Sequence, residues 1–274
     1  MKRVLAAVFL ILLANAAAAA IHYEFQQTSH SDIDNSTELT GRAIIDGSRS
    51  RVEFLAGNAY PPGTYVLTSN GSRRMLFVDP LSKSYTEVNA GAIAGAIGST
   101  RITVENLKHT IEKIPGSDIY AGVPTEHYRV VITYDMTVTM KAVPVRQTVR
   151  TDIDAWTTVQ FGDVNENFLQ TGGIRTGNAD LDKVIDLETT VIKGFPLRKV
   201  VKITTSTPRQ VAGSKLGFRP VRTQTRELVI TSIKDAPAEP ALFIVPAVYR
   251  RSDTQQLNAP QTQVQILSME PSSR

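Results

Sequence analysis

Apolar and polar residues alternate with a period of two through most of the chain from Ile21 onward, and the spacing of amphipathic helices is scarce. The clearest run places Tyr128, Val130, Ile132, Tyr134, Met136, Val138 and Met140 at every second position. Arg129, Thr133, Asp135, Thr137, Thr139 and Lys141 fill most of the opposite face. A strand of that length, greasy on one side only, belongs to an antiparallel sheet covered on one face. Phe195, Leu197, Val201 and Ile203 repeat the pattern against Arg198, Lys202 and Thr204. Shorter strands are expected over Ser50–Leu55, Thr64–Ser69, Arg74–Asp79, Lys83–Val88, Val145–Val159, Leu228–Ile233 and Ala241–Val245. Asn70-Gly71 suits a tight hairpin, because both residues tolerate positive φ. Pro61-Pro62-Gly63 and Asp79-Pro80 mark further breaks. Long strands joined by short turns predict a curled antiparallel meander, mainly β with short helices.

Two segments depart from the strand pattern. Ala90 to Gly98 is small and apolar, with Ile93 and Ile97 one helical turn apart. Asn178 to Glu188 opens with a capping-type Asn, carries Asp180 and Asp182 in its first turn, and sets Leu181, Val184, Ile185 and Glu188 along one face. Both read as short helices laid against the sheet. Residues 101 to 114 fit either class: Leu107, Thr110, Ile111 and Ile114 suit a helix, while Ile102, Val104 and their β-branched neighbours favour a strand. Ser29 to Ser36 is polar and reads as a solvated loop. The Gln-rich stretch over 251–274 reads as a loose tail.

The N-terminus carries an address. Lys2 and Arg3 precede an apolar run from Val4 to Leu13, followed by small residues from Ala16 to Ala20. This is the pattern of a secretory signal over 1–20, with cleavage expected after Ala20 and one domain expected over 21–250. The run is shorter than the ~20 residues a spanning helix needs. A mature chain without a transmembrane segment, periplasmic or secreted, is the expectation.

Composition then removes whole classes of chemistry. The 30 Lys+Arg against 26 Asp+Glu fall to 28 against 26 without Lys2 and Arg3, far from the surplus of a nucleic-acid binder. The absence of cysteine excludes disulfides, thiolate metal sites, a cysteine nucleophile and a lipid anchor on an N-terminal cysteine. Among the four histidines, His22 lies beside the expected cleavage point. His30, Asp32 and Asp34 alternate as metal ligands on one strand face would, yet their polar surroundings fit a loop. Asp163, Asn165 and Asn167 imitate the opening of a calcium loop, but Phe168 and Ile174 stand where it needs Gly and Glu. Asp152 and Asp154 have the residue types of paired carboxylates, but two apart in a strand they are expected to face water. Trp156, the only tryptophan, reads as an anchor under the sheet edge rather than a ligand platform. Asn35-Ser36-Thr37 and Asn70-Gly71-Ser72 match glycan acceptors, relevant only to a eukaryotic secretory route. His109 and His127 are the histidines left for a hydrolase, and no Gly-x-Ser-x-Gly elbow accompanies them. No catalytic residue, metal site or cofactor follows from these patterns.

Three stretches resemble a known family. Pro62-Gly63-Thr64-Tyr65-Val66-Leu67 with Arg74 to Pro80 and Lys83-Ser84-Tyr85 is the first, Tyr120 to Tyr128 the second, and Lys193-Gly194-Phe195-Pro196-Leu197-Arg198 the third. Together with Phe243 to Pro246 they resemble exported bacterial proteins akin to the outer-membrane lipoprotein carriers (LolA/LolB-like), over roughly residues 40 to 250. The resemblance implies a strongly curved antiparallel half-barrel with lid helices in its concave face and a hollow for an acyl chain or a lipidated protein. On that reading Tyr128, Val130, Ile132, Tyr134, Met136 and Met140 line the hollow and Ile93 and Ile97 cover it. If the helices fill the concavity completely, the same residues are ordinary core and the protein is a structural or interaction component of the envelope.

Overall fold

The computed structural model describes residues 20–33, 35–69, 74–89, 101–140, 143–162, 176–207 and 221–252. The expected signal segment before Ala20, Asp34, the Asn70-Gly71 turn, Ile93 and Ile97, the calcium-like stretch and the Gln-rich tail after Ser252 lie outside the described residues.

The strands form one open, curved sheet, mainly antiparallel, with the character of a half-barrel. In chain order they are β1 (Ala20–Ser31), β2 (Thr37–Asp46), β3 (Arg49–Gly57), β4 (Tyr65–Ser69), β5 (Arg74–Asp79), β6 (Ser84–Asn89), β7 (Arg101–Tyr120), β8 (Val123–Met140), β9 (Val143–Thr158), β10 (Phe195–Ser206), β11 (Val221–Ala236) and β12 (Arg250–Arg251). Their order across the sheet is β12-β6-β5-β4-β3-β2-β1-β11-β10-β9-β8-β7. Two meanders, β1 to β6 and β7 to β11, therefore meet where β1 pairs with β11. A helix, α1 (Ala179–Thr190), follows β9.

Cross-strand register carries one apolar face through both meanders. Val52 faces Val66, Tyr23 faces Ile233, Val201 faces Ile153, and Ile153 faces Val130. These inward residues build two clusters. One gathers Tyr23, Phe25, Phe54, Val66, Phe195 and Ile230; the other gathers Val130, Ile132, Met136, Ile153 and Val201 under α1. The long alternation from Tyr128 onward is thus one edge of a continuous inner surface.

Several elements differ from the alternation. β1 runs on to Ser31, taking in the start of the segment expected as a loop, and His30 accepts or donates a hydrogen bond at Ser36 (2.8 Å). β2 supplies Leu39, Ala43 and Ile45 to the core, with Gly41 allowing the approach of Phe25. Ala241–Val245 is not a strand. Pro240 starts a short 3₁₀ turn through Phe243, and a proline at its head supplies no backbone donor to a ladder. This turn lies on the outer face: Arg51 donates to the Leu242 carbonyl (3.2 Å), Arg49 sits over the Phe243 ring, and Val245 and Tyr249 cover Tyr65, Leu67 and Val78. That cover explains the unbroken run Tyr65-Val66-Leu67-Thr68, since β4 is buried on both faces.

Residues 101–114 resolve as strand, within β7. Leu107 and Ile111 stay exposed because β7 ends the sheet and overhangs the core. Two bulges interrupt its pairing with β8, between Glu105 and Lys108 and between Ile114 and Asp118, which blunts the edge against further pairing. At the first, Asn106 takes a positive φ of 54° and donates to Asp135 (2.8 Å), while Arg146 and Thr148 donate to the same carboxylate from β9.

Two outcomes follow. A Cβ at Gly41 would sit 2.5 Å from the Phe25 ring and 2.6 Å from the Glu53 carbonyl, so Gly41→Ala should lower unfolding stability by ~1–3 kcal/mol in urea titration. Asn106, Thr148 and Arg146 hold the Asp135 carboxyl down to about 2. A carboxyl depressed by folding stabilises above its unfolded value of ~3.9 and stops doing so as pH falls through the folded value. Asp135→Asn should therefore flatten the loss of stability between about pH 4 and pH 2, measured as urea midpoints across that range.

Candidate functional site

The inner face beneath α1 holds most of the stripe expected to line a hollow. Asn178 caps the helix, its side-chain oxygen accepting from the Asp180 and Leu181 amides (3.0 and 3.1 Å). The same side chain donates to the Ile102 carbonyl (3.0 Å), and Asp180 accepts from the Val104 amide (3.3 Å). Thr176 adds two bonds to Asp182. The N-terminal end of α1 is thereby pinned to β7. Its buried residues Leu181 and Val184 join the apolar cluster that holds Val130, Ile132, Tyr134, Met136 and Val138.

The expected residues that belong to β8 have definite places. Ile132 and Met136 are 0% and 2% exposed, and Val130 and Tyr134 are buried beside them. Tyr128 sits at the rim, half-buried, where its hydroxyl donates to Glu126 (2.6 Å) and Lys113 pairs with the same acid. Met140 closes β8 opposite Val143.

The alternation in β10 contains a residue that the apolar pattern passes over. Lys199 shares the inner face with Val201 and Ile203, opposite Ala155. On β11, Arg226 stands opposite Val201 and in line with Leu228 and Ile230, again on the inner face. Glu188, near the C-terminal end of α1, projects its charge onto both cations and onto the Tyr134 hydroxyl. All three charged groups are enclosed by protein yet keep part of their surface accessible. Enclosure pushes the Glu188 carboxyl above its usual range, with Lys199 and Arg226 opposing the shift. It pushes the Lys199 ammonium down, opposed by Glu188 and reinforced by Arg226, and lowers Arg226 likewise. Charges at positions where alternation demands apolar residues were the available signal in the sequence, and the strand pattern alone did not reveal their convergence.

In the cluster around Phe25 and Phe54, Tyr60 stacks on Phe54 (centroids 4.2 Å apart, 8° between planes). Its hydroxyl is buried with no hydrogen-bond partner among the described residues, and burial raises its pKa well above the usual phenol range.

His127 lies on the outer face. Its Nε2 is 2.9 Å from Asp154, and its ring stacks on Trp156 at 4.2 Å. Trp156 carries the Arg198 guanidinium at 4.6 Å and donates to Asp118 at 2.7 Å. Arg198 in turn bonds Glu227 and the Tyr120 hydroxyl. This chain of stacked rings and charge-assisted hydrogen bonds joins β7 to β11 across the outside of the sheet, and Trp156 is its central anchor. The arrangement gives His127 a cross-strand structural role. Asp152, also outward, pairs with Arg150 (2.6 Å). No described helix is long and apolar enough to cross a membrane.

No protein-family model matches the chain, and no curated protein matches it in sequence. Among solved structures, the chain is similar to an uncharacterized conserved protein from Thermus thermophilus at 12% identity and a TM-score of 0.33, over 84% of this chain and 90% of that one. It is also similar to a LolA superfamily protein from Nitrosomonas europaea at 10% identity and a TM-score of 0.30, over 83% of this chain and 90% of that one.

Proposed function

We propose that the protein is an exported, non-enzymatic carrier, a single ligand-holding unit over 21–250 that works in the periplasm after loss of a signal segment over 1–20. Its ligand is an acyl chain, free or attached to a lipidated partner, held against the inner face of the half-barrel.

The observation that carries this reading is how the inner face is covered. A two-sheet sandwich would bury such a surface under a second set of strands with interlocking side chains. Here the stripe on β8 is closed by α1, whose polar anchors to β7 gather at its N-terminal end. A helix that covers the stripe through apolar contacts can give up those contacts to a hydrocarbon chain of similar polarity at small net cost, because apolar burial is non-directional. Met136 adds an adaptable surface. The near-complete burial of Ile132 and Met136 supports a second reading, an envelope interaction protein whose interior is filled by its own side chains.

Native mass spectrometry of gently purified protein separates the two: co-purifying lipid is expected, and repeated absence of lipid favours the filled core. Met136→Asp should weaken binding of a fluorescent fatty-acyl probe at least ~10-fold, the cost of setting a charge against a hydrocarbon chain. Circular dichroism would confirm retained strand structure, and unchanged binding removes β8 from the ligand surface. Asn178→Ala should cost ~1 kcal/mol of stability and speed probe entry in stopped-flow measurements, since it loosens the pinned end of α1.

A further inference from the structure

The inner face has a chemical direction along its central strands. On β1 it passes from Tyr23 and Phe25 to Gln27 and Ser29, and on β11 from Ile230 and Leu228 to Arg226 and Gln224. Ser29 faces Arg226 in register, and Gln224 donates toward the Ser29 hydroxyl (3.5 Å). Lys199, on the neighbouring strand, is the diagonal neighbour of Arg226, on the order of 7 Å away in backbone terms. Along β1 and β11 one end of the inner face is therefore hydrocarbon and the other is cationic and rich in hydrogen-bonding groups, while Val201 and Ile203 of β10 stay apolar beside it.

The cations have no local reason to be there. Like charges on adjacent strands repel, and enclosed charges lose hydration that only a counter-charge restores. Among the described residues neither Lys199 nor Arg226 makes a close ion pair. Glu188 is the acid whose field reaches both, leaving two positive groups against one negative. Neither residue is fully buried, so both remain accessible to a ligand. On the outer face the sheet sets cations against acids: Arg198 of β10 bonds Glu227 of β11, and Arg150 bonds Asp152 on β9.

We propose that Lys199 and Arg226 bind the anionic head of an amphiphile, a carboxylate or phosphate, whose hydrocarbon chain lies over Leu228, Ile230 and Phe25. The inference rests on the carrier reading and narrows its ligand to acyl chains with a negatively charged end. Glu188 competes with that head for the two cations, so an arriving anion displaces the C-terminal end of α1 from them while the N-terminal end stays pinned to β7.

Fluorescence titration of the full chain with cis-parinaric acid and with its methyl ester tests this, since the two share a chain and differ in charge. The acid should bind at least ~10-fold tighter than the ester, as charge-assisted hydrogen bonds require. Lys199→Met and Arg226→Met should each erase most of that preference while ester binding stays within about twofold. Glu188→Gln should tighten the acid severalfold and leave the ester unchanged; it carries the test if the methionine variants fail to fold. Displacement of the acid by dodecanoate or by dodecyl phosphate tells which head is preferred, and either result supports the proposal. Equal binding of acid and ester to the native protein, or a preference that survives both methionine substitutions, overturns the anionic head and leaves the carrier standing. Binding of neither probe overturns both.

Discussion

A sheet of twelve strands with one continuous apolar face cannot remain open to water, and the way this protein hides that face governs everything else in it. Among the described residues no second sheet covers that face, and the single open sheet curves. The interior must then be closed by elements of other kinds. At β8 and β9 this is α1; at β3 and β4 Tyr60 stacks on Phe54. That cover is chemically mixed: the Tyr60 hydroxyl and Glu188 of α1 both belong to it.

The two faces of the sheet treat charge differently. Outside, cations are laid against carboxylates and rings across the register: Arg42 with Glu53, Arg74 with Glu87, and Arg198 with Trp156 and Glu227. Such pairs sit near water and contribute little each, but in series they fix which strand lies next to which. Inside, Lys199 and Arg226 share the influence of one carboxylate and are displaced from their ordinary titration by enclosure. An apolar residue at either place would complete the inner surface more cheaply. The contrast separates residues that hold the sheet together from residues whose cost has to be met by something else.

Legibility varied with the physical source of the signal. β8 could be read directly, because a long strand covered on one face has to alternate. α1 could be read from its cap, because Asn178 satisfies orphan amides that every helix start leaves. β2, by contrast, draws its inward face from Leu39, Gly41, Ala43 and Ile45, where a glycine and an alanine weaken the contrast. The turn at Pro240 imitates a strand in sequence because its apolar residues serve the outside of β3 and β4, a surface that exists only once those strands are paired. β7 could be settled only by its partner: its exposed Leu107 and Ile111 carry no information about packing at an overhanging edge.

Alternation, turn chemistry and composition by themselves determined the β class, the one-sided strands, the capped helix and the exclusion of cysteine chemistry, since each depends on neighbours within a few residues along the chain. Register across strands decided the rest. Lys199 and Arg226 lie 27 positions apart in sequence, and only the pairing of β10 with β11 makes them neighbours. Glu188 joins them only when α1 settles on the inner face. Long-range pairing brings side chains together through backbone hydrogen bonds that are the same for every residue type, so no local pattern records which charges will meet.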